Sequence, residues 1–174
     1  MALTRIGLNQ SINLASNVTG TLPTANGGTG ATSFAAGKVL QVVSAADSTE
    51  RSTSSSSFSD IISASITPSS TSNKVLVIYG VAGIRRDSSD GYMSARVTDG
   101  ASFTQYVGHA MLYTAGTSSL RIGSANGSFL HDANTTSAKT YTVQFNSAAG
   151  SGSVVVGDNG NSKSTITLME IAGW

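Results

Sequence analysis

The sequence contains no cysteine, which excludes disulfide bonds, zinc sites built on thiolates and a cysteine nucleophile. Charge is also scarce, because Asp, Glu, Lys and Arg make up 11% of the 174 residues and ten basic against nine acidic side chains leave a formal net charge of +1. This balance lacks the clustered basic charge of a nucleic-acid-binding protein. The longest run of apolar residues and glycine, residues 75–84, is about half a membrane span. We therefore expect a soluble protein that is not exported through a cleaved signal peptide.

Small polar residues take the place of the missing charge. The sequence has 30 Ser, 20 Thr and 19 Gly, which all disfavour helices, whereas Thr suits strands and Gly and Ser suit turns. From residue 38 onward, short apolar segments alternate with clusters of turn residues, and no segment has a helical period. The pattern predicts about nine strands in one all-β domain, an antiparallel β-sandwich over residues 38–174, with the strand order left open.

Several segments carry this prediction. In residues 60–67 and 139–146, strict alternation predicts that every second side chain faces the core, namely Ile62, Ala64, Ile66, Tyr141, Val143 and Phe145. The continuous apolar run 75–81 predicts a strand buried on both faces. The sequence Ser-Ala-Asn-Gly at residues 124–127 is an Asn-Gly turn signal, which predicts an interruption of the strand over residues 119–130.

Residues 1–37 differ from the rest of the chain. They contain one charged residue, Arg5, and one aromatic residue, Phe34, and they are too few to bury a core that offsets their backbone entropy. Disordered tails are usually rich in charge and proline, so we expect this segment to be ordered by contact with another chain. Spaced apolar residues supply the contact points: Leu3, Ile6, Leu8, Ile12, Leu14, Val18 and Leu22.

Residues 19–30, TGTLPTANGGTG, resemble the GTLPxxNGGTG element that recurs in tail fibre and related adhesion proteins of tailed bacteriophages. Residues 69–77 (SSTSNKVLV), 139–145 (KTYTVQF) and 164–172 (STITLMEIA) also resemble the head domain of such fibres. The resemblance implies an N-terminal attachment segment and Gly-rich linker, followed by a homotrimeric head of jelly rolls similar to the tumour-necrosis-factor fold. By composition alone the Gly-rich stretch is a flexible linker, whereas the resemblance favours an ordered trimeric neck. The element occurs once and no shaft follows it, which argues against a long stalk.

Catalytic chemistry finds little support in the sequence. Most acidic residues fall in predicted turns, where Asp caps backbone groups, so no carboxylate pair for glycoside hydrolysis stands out. Glu170, inside the last predicted strand, is expected to have a structural role on an outward face or at a subunit boundary. The two histidines, His109 and His131, are not part of a metal-binding motif, and the sequence contains no nucleophile elbow for a catalytic serine. Asp87 and Asp90 alone supply too few oxygen ligands for a calcium site. We expect no enzyme activity, no metal and no cofactor.

Surface recognition remains. The stretch 85–92 concentrates charge and an aromatic ring in a chain that is short of both, and we predict receptor-binding residues there: Arg85, Arg86, Asp87, Asp90 and Tyr92. The alternative is a solvated hairpin loop whose Arg and Asp side chains pair with one another. Secondary candidates are Tyr106, His109, Tyr113, Arg121 and Trp174.

These observations and the resemblance together predict a virion structural protein of a phage tail. A short tail fibre or fibre tip would dock to other tail or baseplate proteins through residues 1–37. Its trimeric head would bind a polysaccharide or protein of the host cell surface, with neither nucleic acid nor membrane embedding involved. The alternative is a capsid decoration or head-fibre protein.

Overall fold

A computed structural model describes residues 38–86, 91–100, 104–112, 120–149, 152–157 and 161–173 of the chain. The described residues form strands, turns and extended connections, and no helix among them is long and apolar enough to cross a membrane. The predicted attachment segment and linker, residues 1–37, lie outside this part of the chain. Their predicted roles therefore stay predictions.

Ten strands form the described domain. Their bounds are β1 Val39–Asp47, β2 Arg51–Thr53, β3 Ser59–Ile66, β4 Lys74–Arg86, β5 Gly91–Thr98, β6 Thr104–Leu112, β7 Leu120–Asp132, β8 Lys139–Ala149, β9 Val154–Val156 and β10 Ser164–Ile171. The Ser-rich stretch 47–59 contains the short strand β2.

The strands pair antiparallel as a series of nested hairpins. The innermost pair is β5 with β6, followed outward by β4 with β7, β3 with β8 and β1 with β10. Successive pairs alternate between two sheets, whose principal strand orders are β1-β10-β4-β7 and β3-β8-β5-β6. The short strands β9 and β2 extend the first sheet beyond the end of β10. This nesting is a jelly roll, which confirms the predicted antiparallel β-sandwich.

The core lies between the two sheets and follows the predicted alternation. Ile62, Ala64 and Ile66 of β3 are buried against Tyr141, Val143 and Phe145 of β8 and the inner residues of the other sheet. A register shift between Asp60 and Ile62 leaves two successive isoleucines of β3 buried, at positions 61 and 62. Alternation in these two strands is therefore confirmed.

Strand β4 departs from the prediction of burial on both faces. Its inner residues Val75, Val77 and Val81 are fully buried, but Ile78 on the outer face is 39% exposed. The phase of burial also changes along the strand, from residue 81 to residue 84, at Gly83, whose φ is 63°. Glycine tolerates this left-handed conformation, so the alternation of the strand shifts by one residue after Gly83, and Ile84 and Arg86 face the core.

Strand β7 contradicts the predicted turn at residues 124–127, because it runs unbroken from Leu120 to Asp132. Gly127 pairs directly with Tyr79 of β4, and a Cβ on Gly127 would lie 2.2 Å from the Tyr79 hydroxyl oxygen. The glycine leaves room for a tyrosine ring instead of forming a turn.

Candidate functional site

The predicted recognition stretch begins at the end of β4, where Arg85 lies on the outer side. Its Nη1 donates to Glu50 Oε2 at 2.9 Å and its Nη2 to Glu50 Oε1 at 3.2 Å. The two parallel bonds form a bidentate pair that fastens β4 to the connection between β1 and β2. Arg85 is therefore partly committed to a contact within the domain.

Arg86 contradicts the prediction that it lies at the receptor-binding surface, because its side chain is fully buried. Its Nη1 lies 3.4 Å from Ser147 Oγ of β8, and it makes further contacts. The phase change at Gly83 explains the inward orientation: continued alternation from Val81 would have buried residue 85 and exposed residue 86. Arg86 therefore belongs to the interior of the domain.

The other predicted recognition residues are only partly described. Tyr92 is half-buried and lies opposite Ala149 and Met111 in the register of β5. The structure does not describe the side chains of the remaining candidates, which are Asp87, Asp90, Tyr106, His109, Tyr113, Arg121 and Trp174. The predicted attachment residues also lie outside the described part of the chain: Leu3, Ile6, Leu8, Ile12 and Leu14.

The outer face of the β3-β8-β5-β6 sheet carries a polar row that the sequence did not indicate. We call the residues Asp60, Gln144 and Arg96, with the ring of Phe58, the Arg96 row. Arg96 Nε donates to Gln144 Oε1 at 2.7 Å, and Gln144 Nε2 donates to Asp60 Oδ1 at 2.6 Å. The Arg96 guanidinium carbon lies 4.0 Å from the centre of the Phe58 ring, within the range of a cation–π contact.

The outer face of the other sheet carries one apolar row. Strand register places Val42, Met169, Leu76 and Leu130 side by side across all four strands, and we call them the apolar row. Val42 is 56% exposed and Leu130 47% exposed. Neighbouring strands lie about 4.8 Å apart, so the row spans about 14 Å. An exposed apolar stripe of this width is a feature of protein–protein contact surfaces, unlike isolated surface hydrophobic residues.

Glu170 is buried in a network of neutral donors. Its Oε1 accepts from Ser69 N at 2.6 Å, Ser69 Oγ at 2.8 Å and Asn73 Nδ2 at 2.6 Å, and its Oε2 accepts from Gln41 Nε2 at 2.7 Å. Burial raises the pKa of Glu170, but hydrogen bonds from Gln41, Asn73 and Ser69 outweigh it and lower the pKa to about 2. The carboxylate thus joins β1, the turn before β4 and β10.

A second polar cluster lies near the end of β5, the end of β7 and the start of β8. Lys139 Nζ pairs with the buried Asp99 carboxylate at 2.7 Å, and His131 Nδ1 lies 2.7 Å from Tyr141 Oη. Burial lowers the pKa of His131, with a smaller effect of Lys139 in the same direction, and burial raises the pKa of Tyr141. The phenol therefore stays neutral at neutral pH, and the tautomer of His131 decides which of the two groups donates the hydrogen bond.

The carboxylates in the described part of the chain are engaged in separate contacts. Asp47 pairs with Arg51 at 2.6 Å, Asp132 pairs with Lys74, and Glu50, Asp60, Asp99 and Glu170 have the partners given above. Within the described residues, no group of three or more His, Asp or Glu side chains is arranged to hold a metal ion. Two surfaces of the described residues remain as candidates for binding, the apolar row and the Arg96 row.

Comparison with known proteins assigns no family. No protein-family model matches the chain, and no curated protein matches it. Among solved structures, the crystal structure of the infectious bursal disease virus VP2 subviral particle is similar to it, with a TM-score of 0.43 and 14% sequence identity. The similarity covers 98% of this chain and 43% of the VP2 chain, so this chain spans less than half of that protein. The fold assignment here rests on strand order.

Sequence reasoning missed the Arg96 row because its members are far apart in the chain. Phe58, Arg96 and Gln144 belong to three different segments: strand register brings Arg96 beside Gln144, and Phe58 reaches Arg96 from the connection before β3. One signal was present: outward positions of the alternating segment 139–146 include Gln144, a long polar side chain among threonines. That signal gives no indication of an arginine partner.

Proposed function

We propose that this protein is a structural component of a phage virion: a short tail fibre or fibre tip with a trimeric head that binds the host surface. The observation that carries the proposal is the order of two features along the chain. An element that resembles the linker of phage fibres, residues 19–30, stands directly before a jelly-roll domain whose first strand begins at Val39. Residues 1–37 would attach the head to other tail proteins.

The apolar row supports self-association of the head. It crosses the whole sheet, and the Lys74–Asp132 ion pair lies at its margin, one outward position further along β4 and β7. A neutral apolar stripe with a charged margin resembles the centre and rim of a protein interface. Strand β1, which follows the linker in the sequence, contributes Val42 to the stripe. We propose that three copies turn this face toward a common axis.

Light scattering of the purified full chain tests the assembly. We expect the mass of three chains at micromolar concentration, and a monomer would contradict the trimer. The double variant Val42→Lys/Leu130→Lys should dissociate while keeping its circular dichroism spectrum, because both side chains lie outside the core. The matched control Ser63→Lys/Ser65→Lys adds the same charge to exposed positions of the other sheet and should stay trimeric.

Location on the particle tests the role in the virion. We expect antibody labels against the head to appear at the tail in electron micrographs, whereas labels over the shell would favour the capsid decoration alternative. A chain lacking residues 1–30 should fold and trimerise but stay absent from purified particles. Its incorporation at the wild-type level would contradict the attachment role of the segment.

A further inference from the structure

We propose that the Arg96 row binds an acidic sugar, with the Arg96 guanidinium holding the sugar carboxylate. The proposal rests on the proposed host-binding function and names the ligand class and the site. It places recognition on the face of a sheet instead of in the stretch 85–92 that the sequence indicated.

The position of Arg96 is fixed by the fold. Its neighbours Ala95 and Val97 are buried in the core, so the side chain of Arg96 lies on the outer face of β5. Its Nε donates to Gln144, and its guanidinium lies over Phe58. Within the described part of the chain its two Nη groups make no hydrogen bond, so they are available to a ligand. The planar pair of Nη groups matches the two oxygens of a carboxylate.

The supports of Arg96 are themselves held in place. Asn146 Nδ2 donates to Ser56 O at 2.7 Å, and Ser147 N donates to Ser55 O at 2.9 Å. These two bonds fasten the connection that leads to Phe58 onto the end of β8, and so they hold the ring over Arg96. A guanidinium whose plane is already set loses less conformational freedom when it binds a ligand.

The remainder of the row suits sugar hydroxyls better than a second anionic group. Asp60 is exposed and lies across Gln144 from Arg96, two strands away, which corresponds to about 10 Å. A carboxylate at that distance accepts hydrogen bonds from hydroxyl groups and repels a multiply charged phosphate. The next row carries the small side chains of Ser63 and Thr142, which leave the surface low beside the site. A ring with one carboxylate and several hydroxyls therefore fits.

Two of the secondary candidates lie at register positions of β6 that pair with β5. Tyr106 lies opposite Arg96 on β6, and His109 lies opposite Ser94. The register shift between Ala95 and Arg96 sets these pairings, because it leaves one extra residue in β6.

Binding is tested by NMR titration of the full chain with two acidic probes, trigalacturonate and a trimer of N-acetylneuraminic acid, and with neutral galactotriose. We expect at least one acidic probe to shift the backbone signals of Phe58, Arg96 and Gln144, with at least tenfold weaker binding of galactotriose. Arg96→Gln should weaken binding at least tenfold, and Arg96→Lys should do so nearly as much, because lysine lacks the planar fork. Shifts from neither acidic probe, or equal binding by Arg96→Gln, would overturn the proposal.

The matched control is Arg51→Gln, which removes a partly exposed arginine from the other sheet and should leave the titration unchanged. If Arg51→Gln weakens probe binding as much as Arg96→Gln does, the loss reflects net charge alone, and the proposed site is contradicted. Adsorption of the wild-type chain to host cells separates this proposal from the function that it rests on. If the wild-type chain adsorbs and Arg96→Gln adsorbs equally, the site is wrong while the function stands; if the wild-type chain fails to adsorb, the host-binding function itself is contradicted.

Discussion

Replacing Glu170 by glutamine should destabilise the head by about 3 kcal/mol at neutral pH. The pKa of this carboxyl group is lowered from 4.5 to about 2, and each pKa unit corresponds to about 1.4 kcal/mol of folding free energy. Glutamine keeps one oxygen for the donors Ser69 and Asn73. Its amide nitrogen then faces Gln41 Nε2, so two donors oppose each other where a carboxylate oxygen accepted a bond.

The pH dependence separates this electrostatic effect from a simple packing defect. Because the folded-state pKa of Glu170 is depressed, its contribution is complete above about pH 4.5 and is lost as the pH falls toward about 2. The difference in unfolding free energy between wild type and Glu170→Gln should therefore shrink over this range. Asp47, whose pKa is also lowered to about 2 by hydrogen bonds from Thr49, titrates in both proteins and cancels from the difference.

Urea denaturation followed by circular dichroism measures the effect at one fixed protein concentration, since self-association raises apparent stability. The control Asp132→Asn breaks the exposed ion pair with Lys74 and should cost at most about 1 kcal/mol. The reasoning about Glu170 is refuted if Glu170→Gln costs no more than the control. It is also refuted if the full difference from wild type persists near pH 2.

Two further pairs of variants test the close approach at Gly127 and the burial of Arg86. Gly127→Ala should cost about 1–3 kcal/mol, because its Cβ would lie within 2.7 Å of both Cζ and Oη of Tyr79, whereas Gly123→Ala, with nothing within 4 Å, should be nearly neutral in the same urea melts. Similar losses for both glycines would contradict the close-approach explanation. Arg86→Ala should cost several kcal/mol as the loss of a buried, hydrogen-bonded charge, while Arg85→Ala removes a partly exposed pair and should cost about 1 kcal/mol or less. Thermal melts in the reverse order would show that the burial of the two arginines is misassigned.

The fold class followed from the sequence because strand alternation is a local property. Ile62, Ala64 and Ile66 alternate within one segment, and nothing distant is needed to see which side they bury. Strand order is different, since it depends on which segments meet after a long connection. The nested pairing of β1 with β10 joins the two ends of the described domain, and no local pattern records it.

Glycine was the main source of error in the sequence interpretation. The Asn-Gly sequence at residues 126–127 has the composition of a turn, but the tyrosine across the sheet uses the space that a side chain would fill. Gly83 gave no signal at all, although its left-handed backbone decides that Arg86 is buried and Arg85 is not. Both outcomes depend on a partner strand or a single backbone torsion, which composition and periodicity do not encode.

The apolar run 75–81 did not reveal that one of its faces lies on the outside of the sandwich. The run 75–81 predicted a strand buried on both sides, and its outward residues Leu76 and Ile78 are only partly covered in the single chain. If copies meet on this sheet, the prediction describes the assembled head instead of the single chain. The polar sheet is then left facing outward, because a sandwich that turns one sheet toward an axis presents the other to solvent. Three Arg96 rows on one rigid body would bind a repeating acidic polysaccharide with high avidity, even though each site alone is weak.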